Sequence, residues 1–373
     1  MVWNLPSAFK RPRLTVSIVT KDSEDRLEAI ISDARTYADE VVVGVDADSR
    51  DDVWPIACRC ADAAYRFRHS GQMAPIHMLA LGYCQGEWIL RLDDDEFMER
   101  GFADILSELL ATSTHTHYYL PRKWVVSLDP PLYLHAAPWY PDHALRLFRN
   151  DPTLVWKPPR YHTGYRVIGL GAVDNRCSIL HYEPVWCSHA RRAEKIKTYR
   201  DHGGEGIAEE FYGEKEGEQR PFIPPHPSCR ARRSRPRIDH ILQEPPVRAL
   251  PPWGCQVESC DLPAKIRAGQ RFPVCLKLTN TGAISWLSNK VDWPVLNVAF
   301  QLQAADGTLL ERDGGRIPIM SLVRPGQSVS VCGTVTAPRD CGDFILSWDM
   351  VSEGECWFAE CGSKPLTTHV MVT

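Results

Sequence analysis

Apolar and polar positions follow two different periods along this chain, and the change of period divides it. Leu14-Thr15-Val16-Ser17-Ile18-Val19-Thr20 is β-branched and apolar, which predicts a buried strand. Lys21-Asp22-Ser23 follows, with Asp22 or Ser23 suited to cap a helix. Leu27, Ile30, Ile31 and Ala34 then share one helical face. Val41-Val42-Val43-Gly44-Val45 predicts a second strand, which runs into Asp46-Ala47-Asp48-Ser49-Arg50-Asp51-Asp52. Strand, helix, strand makes a right-handed parallel unit the default topology. Ala57 to Phe67 predicts a short helix and strand, and Met78 to Gly82 a helix. Ile89, Leu90 and Leu92 predict a further strand, Gly101 opens a helix, and Tyr118-Tyr119-Leu120 and Trp124-Val125-Val126 predict two more strands.

Beyond residue 254 the period becomes two. Phe272, Val274, Leu276 and Leu278 alternate with Pro, Cys, Lys and Thr, and Leu296, Val298, Phe300 and Leu302 do likewise. Val329 and Val331 continue the pattern, as do Phe344, Leu346, Trp348 and Met350. Turn signals at Asn280-Thr281-Gly282, Asp306-Gly307, Pro325-Gly326 and Cys341-Gly342-Asp343 punctuate it, so an antiparallel β-sandwich is expected. The stretch in between is rich in proline, and five arginines fall between Arg230 and Arg237. That composition cannot bury a core and reads as an extended linker. The expected organisation is therefore an α/β domain over 1–218, a linker over 219–254 and a β-sandwich over 255–373.

The strongest chemical signal is Gly86-Glu87-Trp88-Ile89-Leu90-Arg91-Leu92-Asp93-Asp94-Asp95-Glu96. Four consecutive acids cannot lie side by side in a core, because each unpaired buried charge costs several kcal/mol (about). They must emerge at the end of the strand, the edge where open α/β sheets bind ligands. Asp93 and Asp95 are expected on one face of an extended segment, where two carboxylates suit a hard divalent cation, Mn²⁺ or Mg²⁺, that also holds phosphate oxygens. The acids that follow the second strand, Asp46 among them, would lie on the same edge and accept hydrogen bonds from a ribose or a base.

Composition narrows the classes. At 373 residues two domains are the natural expectation, and 44% hydrophobic with 24% charged residues is the balance of a globular protein. A net charge of −4 argues against a general nucleic-acid partner, and no apolar run approaches a membrane span. Met1-Val2-Trp3-Asn4-Leu5-Pro6 has no signal pattern, so the expectation is cytoplasmic, with peripheral contact to an anionic membrane left to the linker arginines. The thirteen cysteines are scattered and read mostly as small buried hydrophobes, with Cys255/Cys260 and Cys356/Cys361 the pairs to watch for zinc.

In this order, the motifs resemble those of the family 2 glycosyltransferases of the GT-A fold. Asp46, Ser49 and Asp51 match its Asp-x-x-Ser-x-Asp, and Gly86, Trp88, Asp93, Asp95 and Glu96 its Gly-x-Trp-x-x-x-x-Asp-x-Asp-Glu. Trp139-Tyr140-Pro141-Asp142, Arg146-Leu147-Phe148-Arg149 and Ile179-Leu180-His181-Tyr182 resemble segments of the lipopolysaccharide-core glucosyltransferase group, followed by a basic helix with Arg191, Arg192, Lys195 and Lys197. Tyr161-His162-Thr163 matches that group's Val-His-Glu only in its histidine. The resemblance covers about residues 14 to 202 and implies an α/β GT-A domain, a mixed sheet flanked by helices. Asn280-Thr281-Gly282 to Trp286, Pro325-Gly326 and Glu353-Gly354 to Trp357-Phe358 resemble immunoglobulin-like modules.

The resemblance implies a metal-dependent, inverting glycosyltransferase that moves a sugar from a nucleoside-diphosphate donor, a UDP-sugar, to a saccharide or lipid-linked glycan. It implies Asp95 as the direct metal ligand and Asp93 nearer the ribose, with His181 a third ligand or a structural histidine. Asp22 and Asp46 would read the nucleobase and ribose, and Arg146 or Arg149 would pair with the diphosphate. Thr163 stands where the family has a glutamate, which leaves Asp142 and Glu96 as candidate bases, Asp142 preferred for its aromatic surroundings. The rival reading is a non-catalytic carbohydrate-binding or scaffolding protein. A phosphoester hydrolase would need more grouped His and Asp ligands than the chain shows.

Overall fold

A computed structural model describes residues 13–68, 74–112, 114–158, 164–201, 211–213, 217–225, 241–243, 252–263, 265–288 and 293–373. They form two compact units, the first drawn from 1–150, 157–165 and 170–247, the second from 151–156, 166–169 and 248–373.

The first half of the chain runs β1 (Leu14–Thr20), α1 (Leu27–Ala34), β2 (Glu40–Asp46), α2 (Val53–Cys60), β3 (Ala63–Arg68), α3 (Ala74–Leu81), β4 (Trp88–Asp93), β5 (Glu96–Met98), α4 (Phe102–Ala111), β6 (His115–Leu128), β7 (Pro131–Leu134) and β8 (Asp142–Arg149). After β9 (Val155–Trp156) and β10 (Arg166–Val167), which belong to the second unit, come β11 (Leu170–Val173), β12 (Ile179–His181), α5 (Glu183–Trp186), α6 (His189–Asp201), β13 (Gln219–Pro221) and β14 (Ile241–Gln243). The strands of the first unit join in one sheet of order β13-β7-β6-β8-β4-β1-β2-β3-β14, with β11 and β12 attached to β6. β1 pairs parallel with β2 and β4, and β2 with β3, so the predicted parallel unit is present. Every residue of β1 and β2 is buried, as a strand covered on both faces requires. Leu27, Ile30, Ile31 and Ala34 form the buried face of α1.

The expected α/β GT-A class is corrected. Among the described residues strands take 46% and helices 18%, so the chain is mostly β with several sheets, not a mixed sheet flanked by helices. Two causes are visible. The helices α1, α2 and α3 are eight residues each. The stretch expected to hold two short strands is a single 14-residue strand, β6, which pairs with β7, β8, β11 and β12 and carries the sheet well past the parallel part. The linker reading also changes at its ends. Gln219–Pro221 pairs with β7 and Ile241–Gln243 with β3, at the two ends of the sheet order, while 226–240 and 244–251 lie outside the described residues.

The second unit is built on β15 (Cys255–Asp261), β16 (Lys265–Ile266), β17 (Arg271–Asn280), β18 (Leu296–Ala304), β19 (Leu309–Pro318), β20 (Ser328–Thr336), β21 (Gly342–Ser352), β22 (Cys356–Trp357) and β23 (Leu366–Val372). One sheet has the order β15-β17-β20 and another β16-β23-β21-β18-β19. The alternation read from the sequence holds along β17, where Phe272, Val274, Leu276 and Leu278 are buried and Arg271, Pro273 and Lys277 exposed. Trp286, Trp348 and Trp357 are core residues. Cys275 and Cys332, paired across β17 and β20, form a disulfide that the reading of these residues as small hydrophobes did not anticipate. The sulfurs of Cys356 and Cys361 lie 3.6 Å apart, but among the described residues no three His, Cys, Asp or Glu side chains form a metal-binding group. No helix of the described residues is long and apolar enough to cross a membrane.

Candidate functional site

The parallel strands β1, β2 and β4 end on one edge of the first unit's sheet, at Thr20, Asp46 and Asp93. A cleft of about 240 Å³ opens there, lined from the strand ends by Lys21, Arg26, Asp46 and Asp93 to Asp95, and from α5 and α6 by Glu183, Trp186, Arg191 and Lys195. Gly86 sets the start of β4. A Cβ on it would sit 2.6 Å from the Thr15 nitrogen and 2.8 Å from the Trp88 carbonyl oxygen, so only glycine lets the chain enter against β1 here. Its N–H donates to Thr15 Oγ1 at 2.8 Å and its carbonyl accepts from Asn150 Nδ2 at 2.8 Å. Trp88, two residues on, is wholly buried.

The four acids divide into different tasks. Asp93 is held by two guanidinium groups, Arg91 on Oδ1 and Arg146 on Oδ2 at 2.5 Å. Asp94 accepts from the Thr20 hydroxyl at 2.8 Å and the Lys21 N–H at 3.3 Å, with Arg26 at 3.7 Å. Burial pushes its carboxyl up, against the Arg26 charge and the Thr20 hydrogen bond. Glu96 is fully buried, accepts from the Asp93 N–H at 2.9 Å and from Arg146 at 2.6 Å, and has Arg122 at 3.5 Å. Burial raises it to about 8, with the Asp93 charge adding and Arg122 and Arg91 opposing. Asp95 is the uncommitted one. Its Oδ1 is buried with no hydrogen-bond partner, 3.5 Å from His181 Nδ1, and burial raises its pKa to about 7 against the charge of Lys195, with Asp94, Asp93 and Glu183 adding.

The period-of-two argument for Asp93 and Asp95 stops where the strand does. β4 ends at Asp93, Asp94 and Asp95 form the turn into β5, and the two carboxylates meet different partners. Asp46 lines the cleft, with Oδ2 3.0 Å from Lys21 Nζ and Oδ1 accepting from the Asp48 N–H. Asp22, at φ 50°, accepts from the Arg50 N–H at 2.8 Å and ties the β1–α1 loop to the β2–α2 loop rather than lining the cleft. Arg146 serves Asp93 and Glu96. Arg149 donates to the Thr112 carbonyl and lies 4.4 Å over the Trp88 ring, away from the cleft.

Neither predicted base lines the cleft. Asp142 opens β8 opposite Arg122, which holds it at 2.6 Å, and accepts from Trp124 Nε1 at 3.1 Å. Both contacts tie the carboxylate to β6. Glu96 is sealed inside the protein. His181 is buried beside Asp95, its ring edge-on to Trp124 at 4.4 Å. His162 and Thr163 lie outside the described residues.

The residue missed from the sequence is Glu183. It lines the cleft, is 1% exposed, and receives no N–H or O–H hydrogen bond; the Cys187 thiol lies against it and Lys195 Nζ is 3.8 Å away. Ile179-Leu180-His181-Tyr182-Glu183 repeats the cue given by the first acidic stretch, an apolar strand that stops at an acid. Antiparallel pairing of β12 with β5, His181 opposite Glu96, brings the two stretches together.

No protein-family profile and no curated protein matches the chain. Among solved structures it is similar to Staphylococcus aureus TarS in complex with UDP, at 18% identity over 30% of this chain and 36% of that one, with a TM-score of 0.25. It is also similar to the CARDB domain of PF1109 from Pyrococcus furiosus, at 15% identity over 33% of this chain and 91% of that one, TM-score 0.22. The C-terminal domain of wzt matches at 12% identity over 32% of this chain and 74% of that one, TM-score 0.23. Each likeness is partial and weak.

The cleft itself sets what can bind. Its lining combines acids, Asp46 at the end of β2 and Asp93 to Asp95 at the end of β4, with the basic residues Lys21, Arg26, Arg191 and Lys195. Among the described residues no three side chains converge as a metal-ligand set. A Mg²⁺ or Mn²⁺ site of the kind completed by substrate phosphates and water needs only one or two side chains, and the orphaned Oδ1 of Asp95, next to His181, fits that description; Asp93, held by two arginines, does not.

Proposed function

We propose that the first unit binds a nucleoside-diphosphate sugar, a UDP-sugar, in this cleft and transfers the sugar with inversion to a hydroxyl of a saccharide or lipid-linked glycan. The observation that carries the reading is the pair of buried carboxylates, Asp95 and Glu183, that receive little hydrogen bonding of their own and line one cleft together with Asp46, Lys21 and Lys195. Buried polar groups short of hydrogen bonds cost free energy, so a site that keeps two of them is arranged for something that binds. The motif resemblance around Gly86 to Glu96 points the same way.

In this reading Asp46 accepts hydrogen bonds from the nucleoside. Lys195 and Arg191 lie where the diphosphate charge needs neutralising. Asp95 and His181 would hold Mn²⁺ or Mg²⁺, whose contribution when bound is to stabilise the charge on the leaving diphosphate. Glu183 takes the proton from the acceptor hydroxyl as it attacks, a role that suits a carboxylate within the cleft and not paired to an arginine.

The test is calorimetric titration with UDP, GDP and CDP, each with Mn²⁺ or Mg²⁺, on the full chain and on Asp95→Asn. The expected result is one nucleotide binding with the cation and losing that binding in the variant. If no nucleotide binds with either cation, the glycosyltransferase reading falls and the carbohydrate-binding alternative takes its place.

A further inference from the structure

The second unit holds a cleft of its own. β19 and β20 are edge strands of different sheets, and a cavity of about 700 Å³ lies between them. Its floor is apolar, built from the buried Phe300, Leu302 and Val335. Its walls are polar and mostly basic, with Arg271, Arg316, Arg339, Glu311, Thr334 and Thr336.

The three arginines are not equivalent. Arg316 is committed, with Nε 2.5 Å from Glu353 Oε1 and Nη2 3.0 Å from Asp313. Arg271 donates only to the Thr334 hydroxyl, and among the described residues neither Arg271 nor Arg339 lies within ion-pair distance of a carboxylate. Between Glu311 and Arg316, β19 carries two glycines, Gly314 and Gly315, that also line the cleft. A Cβ on Gly314 would fall 2.3 Å from the Phe300 ring, and one on Gly315, at φ +61°, 2.8 Å from Val335. The backbone of β19 therefore packs closely on Phe300 and Val335 at this point.

We propose that this cleft binds an anionic saccharide, one carrying carboxylate or phosphate groups. Two guanidinium forks without acid partners suit such groups. The Thr334 and Thr336 hydroxyls and the Glu311 carboxylate suit sugar hydroxyls. An acidic peptide added as a further strand fits less well. The β18–β19 register breaks between Val298 and Phe300, between Phe300 and Leu302 and between Leu302 and Gln303, so β19 does not offer a regular edge for strand addition. The proposal is independent of the activity assigned to the first unit.

The test uses the full chain and titrates trigalacturonate, glucose 6-phosphate, neutral maltotriose, inorganic phosphate and hexaglutamate. Trigalacturonate or glucose 6-phosphate is expected to bind, which of the two telling carboxylate from phosphate, with maltotriose about tenfold weaker or more. The Arg271→Gln/Arg339→Gln double variant is expected to lose about tenfold or more, and Arg312→Gln, an exposed arginine of the same strand paired to Glu360 outside the cleft, to lose nothing. Unfolding midpoints check that the variants remain folded. The proposal is overturned if neither anionic sugar binds, if maltotriose binds as tightly, or if the double variant binds unchanged. Inorganic phosphate matching the sugars overturns it in favour of an adventitious ion only, and tighter binding of hexaglutamate in favour of a peptide site.

Discussion

Arg146 places one guanidinium nitrogen 2.5 Å from Asp93 and 2.6 Å from Glu96, and so holds together the two ends of the acidic turn. All of this lies in a region where Glu96 has no exposed surface and Arg146 little. Removing the Arg146 guanidinium leaves Asp93 to Arg91 alone and Glu96 with only Arg122, at 3.5 Å, inside a buried site. Arg146→Met is therefore expected to destabilise the protein by about 3–5 kcal/mol in urea unfolding. A loss below about 1 kcal/mol would show that the turn is held by other contacts.

Gly86→Ala is expected to be destabilising although it adds a single methyl group. The atoms it would meet are the backbone nitrogen of Thr15 and the backbone carbonyl of Trp88, which cannot swing aside as a flexible side chain would. The expected cost is about 1–3 kcal/mol, read as a lowered unfolding midpoint. Full stability in the variant would contradict the close approach of β4 to β1.

Glu183→Gln separates binding from turnover. If Glu183 accepts the acceptor's proton, the amide variant keeps nucleotide affinity and loses about 10²–10⁴-fold in kcat for sugar transfer. Equal activity in wild type and variant would move the base elsewhere. Asp142→Asn and Arg149→Met are expected to leave nucleotide affinity unchanged, since both residues make structural contacts outside the cleft.

Asp349 gives the second unit a pH dependence. Burial raises its carboxyl to about 6, although it accepts N–H bonds from Ala359 and Met350. A carboxyl with a raised native pKa binds more protons folded than unfolded between the two values, so its contribution to stability falls as pH rises from about 4 to about 6. The expected loss across that window is about 2–3 kcal/mol, and Asp349→Asn should remove that slope. A slope unchanged in Asp349→Asn would assign the pH dependence to another group.

The disulfide closes a separation of 57 residues. Cys275→Ala/Cys332→Ala is expected to cost about 2–4 kcal/mol, measured under non-reducing conditions. Thiol titration of the denatured, unreduced protein should find two fewer than the thirteen cysteines of the chain. A count of thirteen would show the bond is not formed.

Local pattern carried much of this architecture. β1 and the apolar face of α1 follow from seven residues and a helical spacing, and the period of two beyond residue 254 gave β17 its inward and outward faces. What stayed hidden was decided by partners far away in the chain. Asp142 looked free to act as a base because its aromatic neighbours are adjacent in sequence, whereas Arg122, opposite it in β6, is not. Asp93 and Asp95 looked alike because each follows an apolar strand, yet Arg146 reaches only one of them. Glu183 was passed over because its place at the cleft depends on β12 lying against β5. The helical share was overestimated because short helices give clear spacing signals, while a strand as long as β6 crosses a proline and reads as two pieces.

The chain crosses between its two units more than once, since Asp151–Trp156 and Arg166–Gly169 belong with the C-terminal unit. A gene fragment ending at Val247 would carry both segments without the strands they fold with, leaving the indole of Trp156 stripped of its neighbour Trp293. The two halves are thus not beads that recombination could exchange by one crossover. Any lineage that acquired the C-terminal unit intact had to fit its host at five crossings of the chain, and whoever wishes to express the halves apart inherits the same constraint.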